Sequence, residues 1–126
     1  MIDNFFKEKR KYPRIELNLV AKYKVIDYEQ LFQYTKTQNI SAEGVCFESD
    51  EPLKPGVYLQ LEVDIQDNFP PISMIAEIRW ADDIAPNKGK KYINDVKIIS
   101  MPAKDEVRFL KYYCDRIIEK LSAYLK

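Results

Sequence analysis

The chain has 126 residues, 46% of them hydrophobic and 32% charged, enough for one packed core and too few for two. Twenty Lys and Arg balance twenty Asp and Glu, so the global positive field of a nucleic-acid coat or polybasic membrane binder is missing. The sequence has no histidine, which excludes a histidine base, a His-based triad and any zinc site that needs imidazole.

In chain order, residues 1–14 read as a flexible basic arm. Its segment Lys7-Glu8-Lys9-Arg10-Lys11-Tyr12-Pro13-Arg14 carries net +4, five cations against Glu8, in a neutral chain. Such an asymmetry suits a local anion site. From Ile15 to Ile26 the pattern has period two, with Ile15, Leu17, Leu19, Ala21, Tyr23 and Val25 on one face. Only Val20 interrupts it, and this predicts a half-buried strand. A polar turn at 27–30 leads to a second strand, 31–40, rich in Thr, Tyr and Phe. A short strand follows at 45–48, and Pro55-Gly56 marks a turn. The clearest strand sets Val57, Leu59, Leu61, Val63 and Ile65 inward. A fifth, 72–81, puts Ile72, Met74, Ala76, Ile78 and Trp80 on one face, with Trp80 read as core. The loop group Lys88, Lys90 and Lys91 reads as solvated, and a sixth strand covers 92–99. Six short strands punctuated by turns predict a mainly β, antiparallel barrel or sandwich.

After Pro102 the period changes. Val107, Leu110, Cys114, Ile117, Leu121 and Leu125 recur at spacings of three and four, predicting an amphipathic helix over 103–125. That stripe should cover the barrel's open end, with surplus length that could pair with a second chain as a homodimer. Residues 15–126 thus read as one barrel-plus-helix unit. Cys46 and Cys114 form no CxxC pair and sit among apolar neighbours, so both are expected to be buried free thiols. No run of about 18 apolar residues occurs and the N-terminus lacks a signal-peptide pattern, so a cytoplasmic protein without membrane insertion is expected.

Two short motifs stand out: Arg10…Arg14, an Arg-x-x-x-Arg, and Asn39-x-Ser41-x-x-Gly44. Composition alone supplies the first in roughly one such sequence in five, and the second in roughly one in seventy. A hairpin of 15–26 with 31–40 pairs residues whose numbers sum to about 57, placing Arg14 opposite Glu43, so both motifs meet at one rim. In these residues the chain resembles the PilZ family of bacterial cyclic di-GMP receptors. The resemblance extends to Pro55-Gly56, to Ala76-Glu77-Ile78-Arg79-Trp80 and to the C-terminal helix. It implies a six-stranded antiparallel barrel with a long C-terminal α-helix. It departs at Asp95, where glycine is common, and at Ile98, where phenylalanine is common; both departures are expected to bear on strand packing rather than on the ligand site.

The resemblance implies that cyclic di-GMP is held by Arg10, Arg14, Asn39, Ser41 and Gly44, with Lys9 and Lys11 flanking. The residue types suit the ligand. Arginine offers a planar fork for guanine O6/N7 or phosphate, and a flat cation that stacks on a base. Asn39 can accept from guanine N–H groups, Ser41 offers a small hydroxyl, and Gly44 allows positive φ and a close approach. The resemblance implies either one ligand or an intercalated pair, with the residue before the first arginine influencing the choice; as Lys9, it favours the pair. The resemblance also implies a switch, in which ligand binding orders the arm and signals to a downstream protein partner that the sequence does not name. The alternatives are a protein–protein adaptor of the same fold and a single-stranded nucleic-acid binder, the latter disfavoured by zero net charge. Neither a metal, a cofactor nor catalysis is expected.

Overall fold

The computed structural model describes residues 12–27, 31–83 and 91–125. Among the described residues seven strands, β1 (Ile15–Glu16), β2 (Val20–Val25), β3 (Gln33–Ile40), β4 (Gly44–Ser49), β5 (Tyr58–Val63), β6 (Ile72–Asp83) and β7 (Tyr92–Ser100), precede a helix, α1 (Ala103–Ser122). A 3-10 turn, Ala123–Leu125, ends the described chain. Every strand pairing is antiparallel: β3 meets β2, β2 meets β5, β5 meets β6, β6 meets β7, β7 meets β4, and β4 returns to β3. Because β1 and β2 lie end to end along one edge of β3, the result is a closed six-stranded barrel whose first strand is broken in two.

The break has a local cause. Four residue steps separate Glu16 from Val20, but only three separate their partners Asn39 and Lys36. One extra residue is therefore inserted at 17–19, a bulge that bends and twists the strand as barrel closure requires. Buried Thr37 holds this corner: its hydroxyl accepts from the Leu19 N–H at 2.9 Å and donates to the Leu17 carbonyl. The hairpin itself pairs one residue off the expected sum of 57, as Val20↔Lys36, and the bulge moves β1 against β3 by one more, to Ile15↔Ile40, so Arg14 lies nearer Ser41 than Glu43.

Inward residues from all sides fill the barrel. Tyr23, Phe47, Leu59, Leu61, Ile72, Met74 and Ile78 are each at most 2% exposed. Val20, the one apolar residue out of phase, points outward as its position demands. At the Pro55-Gly56 turn, Gly56 has φ +91°, a conformation that costs glycine little, and the Val57 N–H closes the turn onto the Lys54 carbonyl at 3.2 Å. Trp80 departs from expectation and is 45% exposed. Ile78 pairs with Val96 but Trp80 with Asp95, so β6 carries one extra residue at Arg79. One inserted residue reverses which face later side chains take, and Ala81 rather than Trp80 packs on the core.

The helix covers the barrel with a different face from the expected one. Phe109 and Tyr113 are buried, and Ile117 packs against the same core, whereas Val107 is 68% and Leu125 88% exposed. Leu110 and Cys114 are exposed too, so of the two cysteines only Cys46 is buried. The two aromatics sit one position before Leu110 and Cys114, and their larger apolar area claims the barrel side. Among the described residues no helix is long and apolar enough to cross a membrane.

Ionic contacts fix the start of α1. Arg108 forks onto Asp67, Nε to Oδ2 at 2.9 Å and Nη2 to Oδ1 at 2.7 Å, and also reaches the Pro70 carbonyl and Asp105. Asp105 in turn accepts the Ser73 N–H at 3.1 Å. The Arg108 hydrogen bonds hold the Asp67 carboxyl below its ordinary value of 3.8. A carboxyl depressed in the folded state contributes stability above its unfolded value, and that stability is lost as pH falls through the folded value. Arg108→Met is therefore expected to lower the melting temperature by a few degrees at pH 7. The gap from the parent should shrink as pH falls below about 4. Thermal unfolding of both proteins from pH 7 to pH 3 checks this; a gap that widens in acid contradicts it.

Candidate functional site

The second motif is built by the β3–β4 hairpin. Ser41 is 3% exposed, and its Oγ accepts from the backbone N–H of Glu43 at 3.2 Å and of Gly44 at 3.1 Å. The Ser41 N–H donates to the Gly44 carbonyl at 2.9 Å. The hydroxyl's lone pairs are thus spent on the turn, and its proton is what it has left to offer outward. A serine rather than a larger residue suits this position because a short side chain must bend back to its own backbone.

Arg14 joins the two motifs. Its Nη1 donates to Asn39 Oδ1 at 3.0 Å, and its Nη2 forms an ion pair with Asp95 Oδ1. The side chain is only 12% exposed, and its Nε is buried with no hydrogen-bond partner. The residue enters this position from a fixed backbone: the Tyr113 hydroxyl, reaching from α1, donates to the Pro13 carbonyl at 2.7 Å. Burial pushes that hydroxyl's pKa up to about 12, so it stays a protonated donor across the physiological range.

Gly44 lies directly under the guanidinium. Its conformation is not the positive-φ one expected from sequence; the demand is for space. A Cβ at this position would stand 2.6 Å from the Val96 carbonyl oxygen and 3.0 Å from Arg14 Nη2. Backbone cannot yield easily, so Gly44→Ala is expected to cost about 1–3 kcal/mol and to push Arg14 off its seat. Chemical denaturation measures the first effect, and an unchanged midpoint would contradict it.

Around Arg14 lies a recess of about 280 Å³ lined by Tyr12, Ser41, Glu43, Gly44, Asp95 and Lys97. A neighbouring recess of about 330 Å³ runs toward α1 and shares Tyr12, Glu43 and Lys97 with it. The cations of the first recess, Arg14 and Lys97, face two carboxylates, Asp95 and Glu43. A larger recess of about 600 Å³ opens elsewhere, over β3 and the end of β4, and holds none of the motif residues. Its wall carries Glu48, Asp50 and Glu51, with Lys91 paired to Asp50 at 2.6 Å, which is poor company for an anion.

The structure therefore brings Arg14, Asn39, Ser41 and Gly44 together. Lys9, Arg10 and Lys11 lie outside the described residues, as do most of the arm and the Lys88 and Lys90 loop. Sequence reasoning missed Lys97, which β7 places opposite Gly44; the alternation of β7 was the available signal. It also misjudged Asp95. That departure touches the candidate site directly, because β7 alternates buried Asn94 and Val96 inward and so turns Asp95 outward onto Arg14.

A family model described as PilZ domain matches residues 8–114. Among solved structures, the fold is similar to the Bacillus subtilis inhibitor of motility (MotI/DgrA), with TM-score 0.71 and 20% identity over 90% of this chain and 53% of that one. It is similar to the PilZ domain of YcgR from Escherichia coli with c-di-GMP, with TM-score 0.68 and 14% identity over 94% of this chain and 99% of that one. A third similarity is to the Borreliella burgdorferi PlzA protein in complex with c-di-GMP, with TM-score 0.58 and 14% identity over 97% and 56%. At these identities the likeness is one of fold. The chain spans about half the length of the Bacillus and Borreliella proteins. Among curated proteins none matches.

Proposed function

The chain belongs to the PilZ domain family, and from that premise we propose that it is a non-catalytic receptor for cyclic di-GMP. The observation that carries the reading is the convergence of Arg14, Ser41 and Gly44 on one recess, with Asn39 hydrogen-bonded to Arg14. A largely buried guanidinium with an unpartnered Nε is suited to an anionic or guanine ligand, since an unmet buried donor is costly. Two of the similar structures hold c-di-GMP, which supports the same reading. Arg10 completes the proposed ligand set, with Lys9 and Lys11 flanking it, and Lys97 joins from β7.

The proposed output is ordering of the basic arm. Its anchored end, Tyr12 to Arg14, already rests on the barrel and on Tyr113, so a ligand drawing Arg10 toward Asn39 would lay the preceding residues over the recess. Each residue so fixed costs roughly 1–2 kcal/mol of backbone entropy, which holds affinity below what the contacts alone would give.

Thermal unfolding with and without ligand tests the reading. A ligand that binds only the folded state stabilises it by about 2.7 kcal/mol at a hundredfold excess over Kd, worth several degrees for a domain of this size. The expected result is a rise with cyclic di-GMP and none with GMP at equal guanine concentration. An unmoved melting temperature at a few hundred micromolar cyclic di-GMP would overturn the proposal.

A further inference from the structure

Resting on the receptor reading above, we infer that Asp95 is an internal competitor for Arg14, a carboxylate that holds the guanidinium until the ligand takes it. A guanidinium has two flat edges that can pair bidentately, Nη1 with Nη2 and Nε with Nη2, and Nη2 contributes an N–H to each. Asp95 occupies Nη2, while Asn39 holds Nη1 at 3.0 Å. Either edge that a guanine or a phosphate could use therefore includes the nitrogen that carries Asp95, so a bidentate ligand must displace the carboxylate or bind directly against its charge.

Burial makes the competition matter. The Arg14 and Asp95 side chains are 12% and 16% exposed, so water and salt screen the pair little. Its charge cancels the arginine's where a ligand with two phosphate charges would enter, and Glu43 on the same recess adds a second repulsion. The side chain is not required by the strand: the β7 ladder past Asp95 runs through backbone pairing with Cys46 and Trp80. The consequence is a raised threshold. Asp95 keeps Arg14 engaged at low ligand concentration, and it disfavours ligands too weakly charged to win the exchange.

Calorimetric titration of the parent, Asp95→Asn and Asp95→Glu with cyclic di-GMP tests this. Asp95→Asn keeps shape and removes charge, and it is expected to tighten binding by roughly 10- to 150-fold, the range of a charge-assisted hydrogen bond no longer surrendered. Asp95→Glu keeps the charge and is expected to stay within about threefold of the parent. Melting of the unliganded proteins separates this from a structural effect: Asp95→Asn should gain affinity without gaining thermal stability. If Asp95→Asn does not fold, Asp95→Ser carries the same expected direction. A parent that binds while the Asn variant binds equally or more weakly would make Asp95 a positioning partner of Arg14; it would overturn this inference and leave the receptor reading standing. Folded proteins of which none binds at a few hundred micromolar would overturn the receptor reading, and this inference with it.

Discussion

Arg14→Ala is expected to weaken cyclic di-GMP binding by at least 5- to 150-fold, the range of about 1–3 kcal/mol for one bidentate arginine–guanine pair. The larger end is the better expectation here, because Arg14 is held by Asn39 and seated over Gly44, so little conformational freedom is lost when a ligand takes it. Truncation also leaves the Asp95 carboxylate, 16% exposed, without its cation and facing the incoming phosphates. Arg14→Lys should recover little: the ammonium restores charge but neither the planar fork nor simultaneous contact with Asn39 and the ligand. Calorimetric titration of both variants, with melting curves to confirm folding, measures the effect. Arg14→Ala binding as tightly as the parent would remove Arg14 from the site.

The second large effect is on stability. Phe109 is fully buried between α1 and the barrel, and Phe109→Ala is expected to cost about 3–5 kcal/mol through lost apolar burial and the cavity left behind. For a chain of this length that lowers the melting temperature by roughly 10–20 °C. Val107→Ala, two positions earlier on the same helix but 68% exposed, should stay within about 0.5 kcal/mol. Equal losses for the two would mean that the helix covers the barrel with the aliphatic stripe read from the sequence. The functional consequence is a second readout. Tyr113, one turn beyond Phe109, holds the Pro13 carbonyl, so a helix lifted from the barrel should also release Arg14.

Strands β2, β5 and the first part of β6 were legible because they alternate cleanly where one face is buried, as the run from Leu59 to Ile65 does. What period two cannot announce is an inserted residue. The bulge at 17–19 shifts the pairing register and the one at Arg79 reverses the phase, neither with any sequence mark, and so the register shifted at Arg14 and Trp80 turned to solvent. The helix was legible as a helix, but not in rotation. Its apolar residues span more than one face, and packing volume chose Phe109 and Tyr113 over Leu110 and Cys114.

At the candidate site the motifs gave the residues and not their duties. Ser41 and Gly44 read as ligand contacts, yet the serine oxygen holds the turn and the glycine makes room for the Val96 carbonyl and the Arg14 fork. Asp95 and Arg14 are 81 residues apart in sequence, and only barrel closure through β4 and β7 brings them together. No local pattern could have announced that pair.

The most direct test of the receptor reading is a calorimetric titration of the unmodified protein with cyclic di-GMP at low ionic strength. The account predicts saturable, exothermic binding with a dissociation constant in or below the low micromolar range, about −8 kcal/mol or better, weakening as salt screens the phosphate contacts. Absence of binding at tens of micromolar protein, with the barrel folded by circular dichroism, would contradict it.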